Sequence, residues 1–201
     1  MSVTPTRDRR AERREATRAE ILEAAWELMR EHGVAGLSLR DLGEKVGMRA
    51  QSLYSYFDSK EAIYDALFGE GCRECLERIQ GVERAGDARA YFRAGSRAWV
   101  DFCLEDHARY QLLFQRTIPG FEPSEESFAP SVEGLEFTRK ALGDAGGTER
   151  GDLDLYTATV TGIVDQQISN DPGGDRWYRL LDDALDMLFA HIDARGKGKK
   201  A

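Results

Sequence analysis

Residues Leu37 to Leu67 read LSLRDLGEKVGMRAQSLYSYFDSKEAIYDAL. Ser38 is a residue type whose hydroxyl accepts a free backbone N–H at a helix start, and Asp41 follows three residues later, as in a capping box. A short helix therefore opens at Ser38 and ends at Gly47. After a tight turn at Gly47-Met48, a second short helix covers about Ala50 to Phe57. Neither helix can bury its apolar residues alone, so Leu39, Leu42, Val46, Leu53 and Phe57 must close against a third. The preceding segment supplies it, running from about Ala11 to His32 with Ile21, Leu22, Ala25, Leu28 and Met29 on one face and Gly33 at the C-cap position. The result is a helix-turn-helix packed as a three-helix unit. Such a unit lays its second helix in the major groove of DNA. Opposite the core, that helix presents Arg49, Ala50, Gln51, Ser52, Tyr54, Ser55 and Tyr56.

Charge is divided to match. The chain of 201 residues carries a net charge of -8, which by itself looks wrong for a nucleic-acid binder, yet residues 1–60 hold 11 basic and 10 acidic side chains while residues 61–201 hold 17 and 26. Six arginines (Arg7, Arg9, Arg10, Arg13, Arg14, Arg18) crowd residues 1–18 against Asp8, Glu12 and Glu15, which reads as a basic arm leading a folded segment. Three cysteines cannot form a disulfide framework, and no apolar leader opens the chain, so a cytoplasmic location is expected. No apolar run approaches the roughly 20 residues needed to cross a bilayer.

The same stretch, with its flanks, resembles the TetR family of bacterial repressors. The resemblance is carried by Thr17-Arg18, Ile21-Leu22-Glu23-Ala24-Ala25, Gly33, Leu39-Arg40-Asp41-Leu42, Val46-Gly47-Met48, Leu53-Tyr54, Tyr56-Phe57 and Ser59-Lys60-Glu61, about 50 residues in all. Beyond them the chain resembles the family only in length, helicity and position. The resemblance implies DNA contacts from Thr17, Ser38, Arg40, Arg49, Gln51, Ser52, Tyr54, Tyr56 and Lys60. Each has an alternative: Gln51 and Arg49 suit paired hydrogen bonds to adenine and guanine but also reach phosphate. Arg40 could simply pair with Glu44 one turn on, and Tyr56 could be partly core. Lys60 opens a helix, where the dipole disfavours a cation; a phosphate partner explains it, an idle surface lysine being the alternative. Two positions depart from the family pattern. Gly43 replaces the commoner alanine, costing about 1 kcal/mol in a helix while permitting closer helix contact. Arg49 replaces a small capping residue, so the third helix loses its N-cap and gains a cation facing DNA.

The rest reads as helices throughout: a fourth from near Asp58 or Ser59 to Gly81, then about Asp87 to Glu105, His107 to Arg116, Ser131 to Leu142, Gly151 to Ser169 and Arg176 to Ala194. Breakers separate them at Gly86, Pro119-Gly120 to Pro123, Gly146-Gly147 and Asp171 to Gly174. The expected fold class is all-α, about nine helices. An arm and reader unit over residues 1–58 is followed by a bundle over 59–195, with helix 59–81 as connector and a frayed tail at 196–201. An excess of aromatics between Tyr91 and Val164, with polar groups among them, suggests an apolar ligand pocket; its candidates are Trp99, Phe102, Cys103, His107, Phe114, Phe137, Tyr156, Thr159 and Ile163. The last two helices carry more apolar surface than one bundle face needs, so Val160, Val164, Leu181, Leu185 and Leu188 are the candidate dimer interface. No metal set, cofactor motif or catalytic constellation is present, and an enzyme is not expected. Cys72 and Cys75 form a lone C-x-x-C with no second pair and scattered histidines, which favours two buried cysteines on one helical face. The resulting expectation is a homodimeric repressor that leaves a palindromic operator when a small molecule occupies the bundle. A helical ligand-binding or redox-sensing protein using Cys72 and Cys75 is the alternative.

Overall fold

A computed structural model of the chain describes residues 9–198, with side chains through residue 196. Arg7 and the rest of residues 1–8 of the expected arm, and residues 199–201 of the expected tail, lie outside the described residues. Nine α-helices and no strand occur among the described residues: α1 (Arg9–His32), α2 (Leu39–Lys45), α3 (Ala50–Leu53), α4 (Lys60–Gln80), α5 (Ala88–Glu105), α6 (His107–Phe114), α7 (Glu125–Asp144), α8 (Arg150–Asn170) and α9 (Leu181–Gly198). None is long and apolar enough to cross a membrane among those residues.

Two apolar cores organise these helices. The first gathers Ile21, Leu22, Ala25, Leu28 and Met29 of α1, Leu42 of α2, Leu53 of α3 and Phe57 around Ile63, Tyr64 and Leu67 of α4. The second gathers Phe92, Val100, Phe102 and Cys103 of α5, Leu142 of α7, Tyr156, Val160 and Val164 of α8, and Leu181, Leu185 and Leu188 of α9 around Phe68, Cys72 and Cys75 of α4. Helix α4 thus changes core between Leu67 and Phe68. Helix α6 does the same on a smaller scale, giving Ala108 and Leu112 to the first core and Tyr110 and Leu113 to the second. At the changeover α4 carries Gly69 and Gly71. A Cβ at Gly69 would stand 3.0 Å from the Ser127 hydroxyl, and one at Gly71 3.0 Å from a Leu113 methyl; the missing side chains let α7 and α6 press directly on α4.

Four boundaries differ most from the sequence expectation. Helix α3 stops at Leu53, and the chain continues to Phe57 in turns closed by Ser55 N–H to the Ser52 carbonyl (3.1 Å) and Tyr56 N–H to the Leu53 carbonyl (2.9 Å). Helix α7 starts at Glu125, not Ser131. Ser124 caps it, accepting from Ser127 N–H, and Pro130 is contained within the helix. Its missing N–H costs one bond to the carbonyl four residues back. Helix α9 begins at Leu181 because the preceding backbone is claimed elsewhere: the Gln167 side-chain carbonyl accepts from Trp177 N–H (2.9 Å) and Tyr178 N–H (3.0 Å). At its other end α9 runs through to Gly198, past the expected start of the tail at 196.

The assignment of Val160, Val164, Leu181, Leu185 and Leu188 to a dimer interface is corrected. All five are buried within the protomer's own second core, on the inward faces of α8 and α9, so none is free to meet another copy.

Candidate functional site: a helix-turn-helix face and an apolar cavity

The reader is built on a tight connection. Ser38 caps α2 by accepting from Asp41 N–H, and Gly47 takes the positive φ of 67° that the turn after α2 demands. Met48 N–H donates to the Gly43 carbonyl at 2.7 Å. A Cβ at Gly43 would lie 2.8 Å from the Met48 carbonyl oxygen and 3.1 Å from the Ala50 nitrogen. The glycine therefore lets the turn fold down on α2, as its departure from alanine implies. Arg49 stands at the N-cap of α3 without a capping side-chain bond.

Helix α1 holds the far end of the reader. The Arg18 guanidinium lies 4.2 Å above the Phe57 ring and donates to the Tyr56 carbonyl, and Arg14 stands 5.2 Å over the Tyr56 ring. Lys45 ties α2 to α1 through Glu27 (2.9 Å) and Glu31 (3.3 Å); those bonds raise the lysine pKa and lower that of Glu27. Sequence reasoning placed Arg14 and Arg18 in a basic arm and the first helix, and Arg18 in the family resemblance, but gave neither a partner on the reader. Their spacing of four, opposite two aromatics, was the available signal.

Four of the proposed DNA contacts lie exposed on α3 and its two ends. Arg49, Gln51, Ser52 and Tyr54 are exposed, with Tyr54 at 52 %, while Leu53 between them is buried. Arg49 makes no ion pair among the described residues. Tyr56 is half-buried beneath Arg14, so it is partly core. Thr17 is half-buried and its hydroxyl donates back to the Arg13 carbonyl (3.1 Å). Arg40 pairs with Glu44 at 3.1 Å on the open surface. Lys60 donates to the Leu37 carbonyl at 3.4 Å and lies 5.6 Å over the Tyr64 ring; both acceptors are uncharged, and its charge also acts on the adjacent Glu61 carboxylate.

In the bundle, a cavity of about 300 Å³ opens among α4, α5, α6, α7 and α8. Trp99 and Phe114 meet edge-on at 5.3 Å on one side, and Phe92 and Tyr156 at 4.8 Å on another. Phe137 and Thr138 of α7, with Cys72, Cys75, Leu76 and Ile79 of α4, complete the wall. The Tyr156 hydroxyl donates to Ser96 (3.1 Å), whose own hydroxyl donates to the Phe92 carbonyl (2.8 Å). Burial pushes the Tyr156 phenol and the Cys72 and Cys75 thiols up to about 12, and raises Cys103 further. All four stay protonated at neutral pH.

Of the residues expected to line a pocket, Trp99, Phe114, Phe137 and Tyr156 face this cavity. Five do not. Phe102 and Cys103 are wholly buried in the second core away from the lining, and His107 is exposed at the first turn of α6. Thr159 and Ile163 turn to the opposite side of α8, where with Gly162, Gln166, Trp177, Leu180, Asp183, Ala184 and Met187 they form an open, largely apolar groove between α8 and α9. Sequence reasoning missed the α4 wall, although Cys72, Cys75, Leu76 and Ile79 follow the i, i+3, i+4, i+7 spacing of a single helical face.

Comparison with known proteins bears on both parts. Residues 21–67 match the model described as bacterial regulatory proteins, tetR family. Over 178 residues the chain is 29% identical to the tetracycline repressor protein class A from transposon 1721 of Escherichia coli, covering 87% of this chain and 78% of that one. It is 26% identical over 176 residues to the HTH-type transcriptional regulator Mb1846 of Mycobacterium bovis, covering 84% and 75%. Over its helix-turn-helix unit the chain is similar to the TetR family regulators. The fold agrees: the TetR family transcriptional regulator PfmR from Thermus thermophilus superposes with a TM-score of 0.60 at 21% identity, covering 86% of this chain and 94% of that one. The matched segment ends at Leu67, the last residue that α4 gives to the first core.

Proposed function

We propose that this chain is a ligand-responsive, DNA-binding transcriptional regulator, acting as a homodimeric repressor that a small molecule releases from a roughly palindromic operator. The observation that carries the reading is the continuity of α4, which begins at Lys60 against the reader and supplies Cys72 to Ile79 to the cavity wall. The reader over residues 1–58 and the bundle over 59–195 then work as units joined by that helix, and an occupant pushing on the cavity wall moves the start of α4. The alternative of thiol redox sensing gains no support, since thiols held near 12 carry little of the thiolate that such chemistry requires. Action on a bacterial chromosome implies the cytoplasm, and no catalytic role is proposed.

For the dimer, the groove between α8 and α9 replaces the residues corrected above. Leu180 and Met187 (75 % exposed) line it, a Cβ at Gly162 would meet open space, and the Trp177 indole N–H beside it is buried without an acceptor. A second copy packed there covers this surface. Met187→Glu is expected to give monomers in sedimentation and to weaken operator binding; an unchanged dimer excludes this face.

Gel shift with the DNA upstream of the protein's own gene tests the reading as a whole. Gln51→Ala is expected to relax preference at one base pair, costing about 1–3 kcal/mol there. Lys60→Ala is expected to weaken all sites alike and to lower the salt dependence by about one unit of slope. A wild-type chain that shifts no DNA more tightly than random sequence refutes it.

A further inference from the structure

We infer that the cleft under the segment between α6 and α7 is a second compartment of the effector site, shut off by the Phe114 ring, and that it takes the unbranched apolar tail of an elongated ligand; this rests on the reading of the cavity as the effector site. Phe114 is the last residue of α6 and lines the cavity. It also lines a cleft of about 200 Å³ walled by Phe68, Leu112, Leu113, Ile118, Phe121 and Phe128. Among the described residues it is the one side chain that faces both spaces. A single ring therefore stands between them.

The backbone at Phe114 is held, while its side chain is not. The Tyr110 hydroxyl and the Gln115 side-chain amide, on either side of it, donate to the same Asp165 oxygen of α8 at 2.8 Å each. Gln115 N–H also donates to the Gln111 carbonyl at 3.2 Å, so the end of α6 is pinned. The ring itself meets only other rings, Trp99 at 5.3 Å and Tyr110 at 5.7 Å, and the residue is 38 % exposed. A turn about its first side-chain torsion, from one staggered position to another, carries the ring into the solvent it already meets. The compartments then join without any unwinding of the helix.

The walls of the cleft decide what crosses. Six of them are apolar, and its charged residues, Arg116 and Glu122, are exposed and of opposite sign. Gln115 is committed to Asp165, and the Thr117 hydroxyl donates to the Gln111 carbonyl (3.5 Å). A tail arriving from the cavity thus meets no net charge, and the opening left by one side chain suits a chain of methylenes. Giving up both ring contacts costs about five- to 150-fold in affinity. Each methylene buried returns about fourfold, so about one to four of them offset the opening.

Straight-chain primary alcohols, one carbon longer at each step, test this by displacing N-phenyl-1-naphthylamine from the protein. In wild type, affinity is expected to rise about fourfold per carbon until the cavity is full, to stay level over about one to four carbons, and then to rise again as the tail crosses. Phe114→Ala should remove the level stretch. Thr117→Trp, which sets an indole in the cleft, should keep the level stretch and abolish the second rise. Added to Phe114→Ala, it should also cancel the extra length that variant admits, which simple enlargement of the cavity would not allow. Circular dichroism checks each fold; should either variant fail to fold, Phe114→Leu and Thr117→Phe carry the same expectations at smaller size.

The inference is overturned if the probe fails to bind or no alcohol displaces it, if wild type shows one uninterrupted rise or a plateau with no second rise, if Phe114→Ala keeps the wild-type pattern, or if its extra length survives Thr117→Trp. The gel shift is read separately. Alcohols that behave as expected on a protein that shifts no operator overturn the regulator reading and leave the two compartments standing. A protein that shifts operator but shows one uninterrupted rise loses only the second compartment.

Discussion

Asp152, in the first turn of α8, is 1 % exposed and accepts both Arg195 guanidinium nitrogens of α9, at 2.6 and 2.7 Å, as well as Glu149 N–H at 3.0 Å. Asp152→Asn keeps the shape and removes the charge. Removing one member of a buried pair costs about 3–5 kcal/mol. Arg195 retains Glu149 at 3.3 Å and its side chain is 25% exposed, so the cost should fall to about 2–3 kcal/mol. Arg195→Met strands the buried carboxylate and should cost about as much, whereas the double variant loses both charges together. Its destabilisation should be smaller than the two single effects added, by about 1–2 kcal/mol. Urea titrations at one fixed protein concentration measure all four. The pH dependence has a definite sign. Arg195 holds the Asp152 carboxyl below its ordinary value, so its stabilisation is complete above the unfolded pKa of about 3.9 and disappears as pH falls through the lower folded value. Wild type should therefore lose more stability than Asp152→Asn below about pH 4. An Asp152→Asn chain within about 0.5 kcal/mol of wild type at pH 7, below the range expected of any buried pair, refutes the reasoning.

Arg18→Met removes both the bond to the Tyr56 carbonyl and the guanidinium over Phe57; stability should drop by about 1–2 kcal/mol and binding to every DNA site should weaken, by urea titration and gel shift. Gly43→Ala gains about 1 kcal/mol of helix propensity but sets a methyl 2.8 Å from the Met48 carbonyl, so a net loss of about 1–2 kcal/mol is expected and a stabilised variant contradicts the close-approach argument. Asp65 accepts from Ser124 N–H (2.6 Å) and from the Ser124 (2.9 Å) and Ser127 (2.8 Å) hydroxyls. Asp65→Ala should speed amide exchange in the first turns of α7, and unchanged protection there counts against a tie between α4 and α7.

The sequence disclosed helices where period and punctuation agreed. Ser38, Gly47 and Ser59 mark real ends of α2 and α4, and Ile21 to Met29 is the buried face of α1. It misplaced α7 because Pro130 read as a boundary, whereas the proline sits inside a helix that Ser124 had already capped. The start of α9 depends on Gln167, which holds the backbone at Trp177, ten residues further on, and which no local pattern reveals. Apolar residues on α8 and α9 were evident, but periodicity alone does not say which face meets the protomer's own core, so Val160 and Leu185 were read as outward. The cavity wall suffered in the same way: Trp99 and Tyr156 were legible as aromatic, while Gly95 and Gly134 contribute by lacking a side chain.

The two glycines of α4 have a mechanical consequence. With 21 residues, the helix is about 30 Å long, and Gly69 and Gly71 lie at its midpoint, where α7 and α6 bear on the bare backbone. That contact is a fulcrum with arms of about 15 Å on either side. Equal arms transmit motion without amplifying it. A tilt of about 5° displaces the Leu76–Ile79 stretch by about 0.8–1.2 Å and carries Lys60 about 1.3 Å the opposite way. In a symmetric dimer the two displacements add to about 2.6 Å, set against readers that must sit about 34–36 Å apart to enter successive major grooves. A side chain at either glycine would shift the fulcrum and make the arms unequal, so that the same push on the cavity wall would no longer produce the same displacement at the DNA.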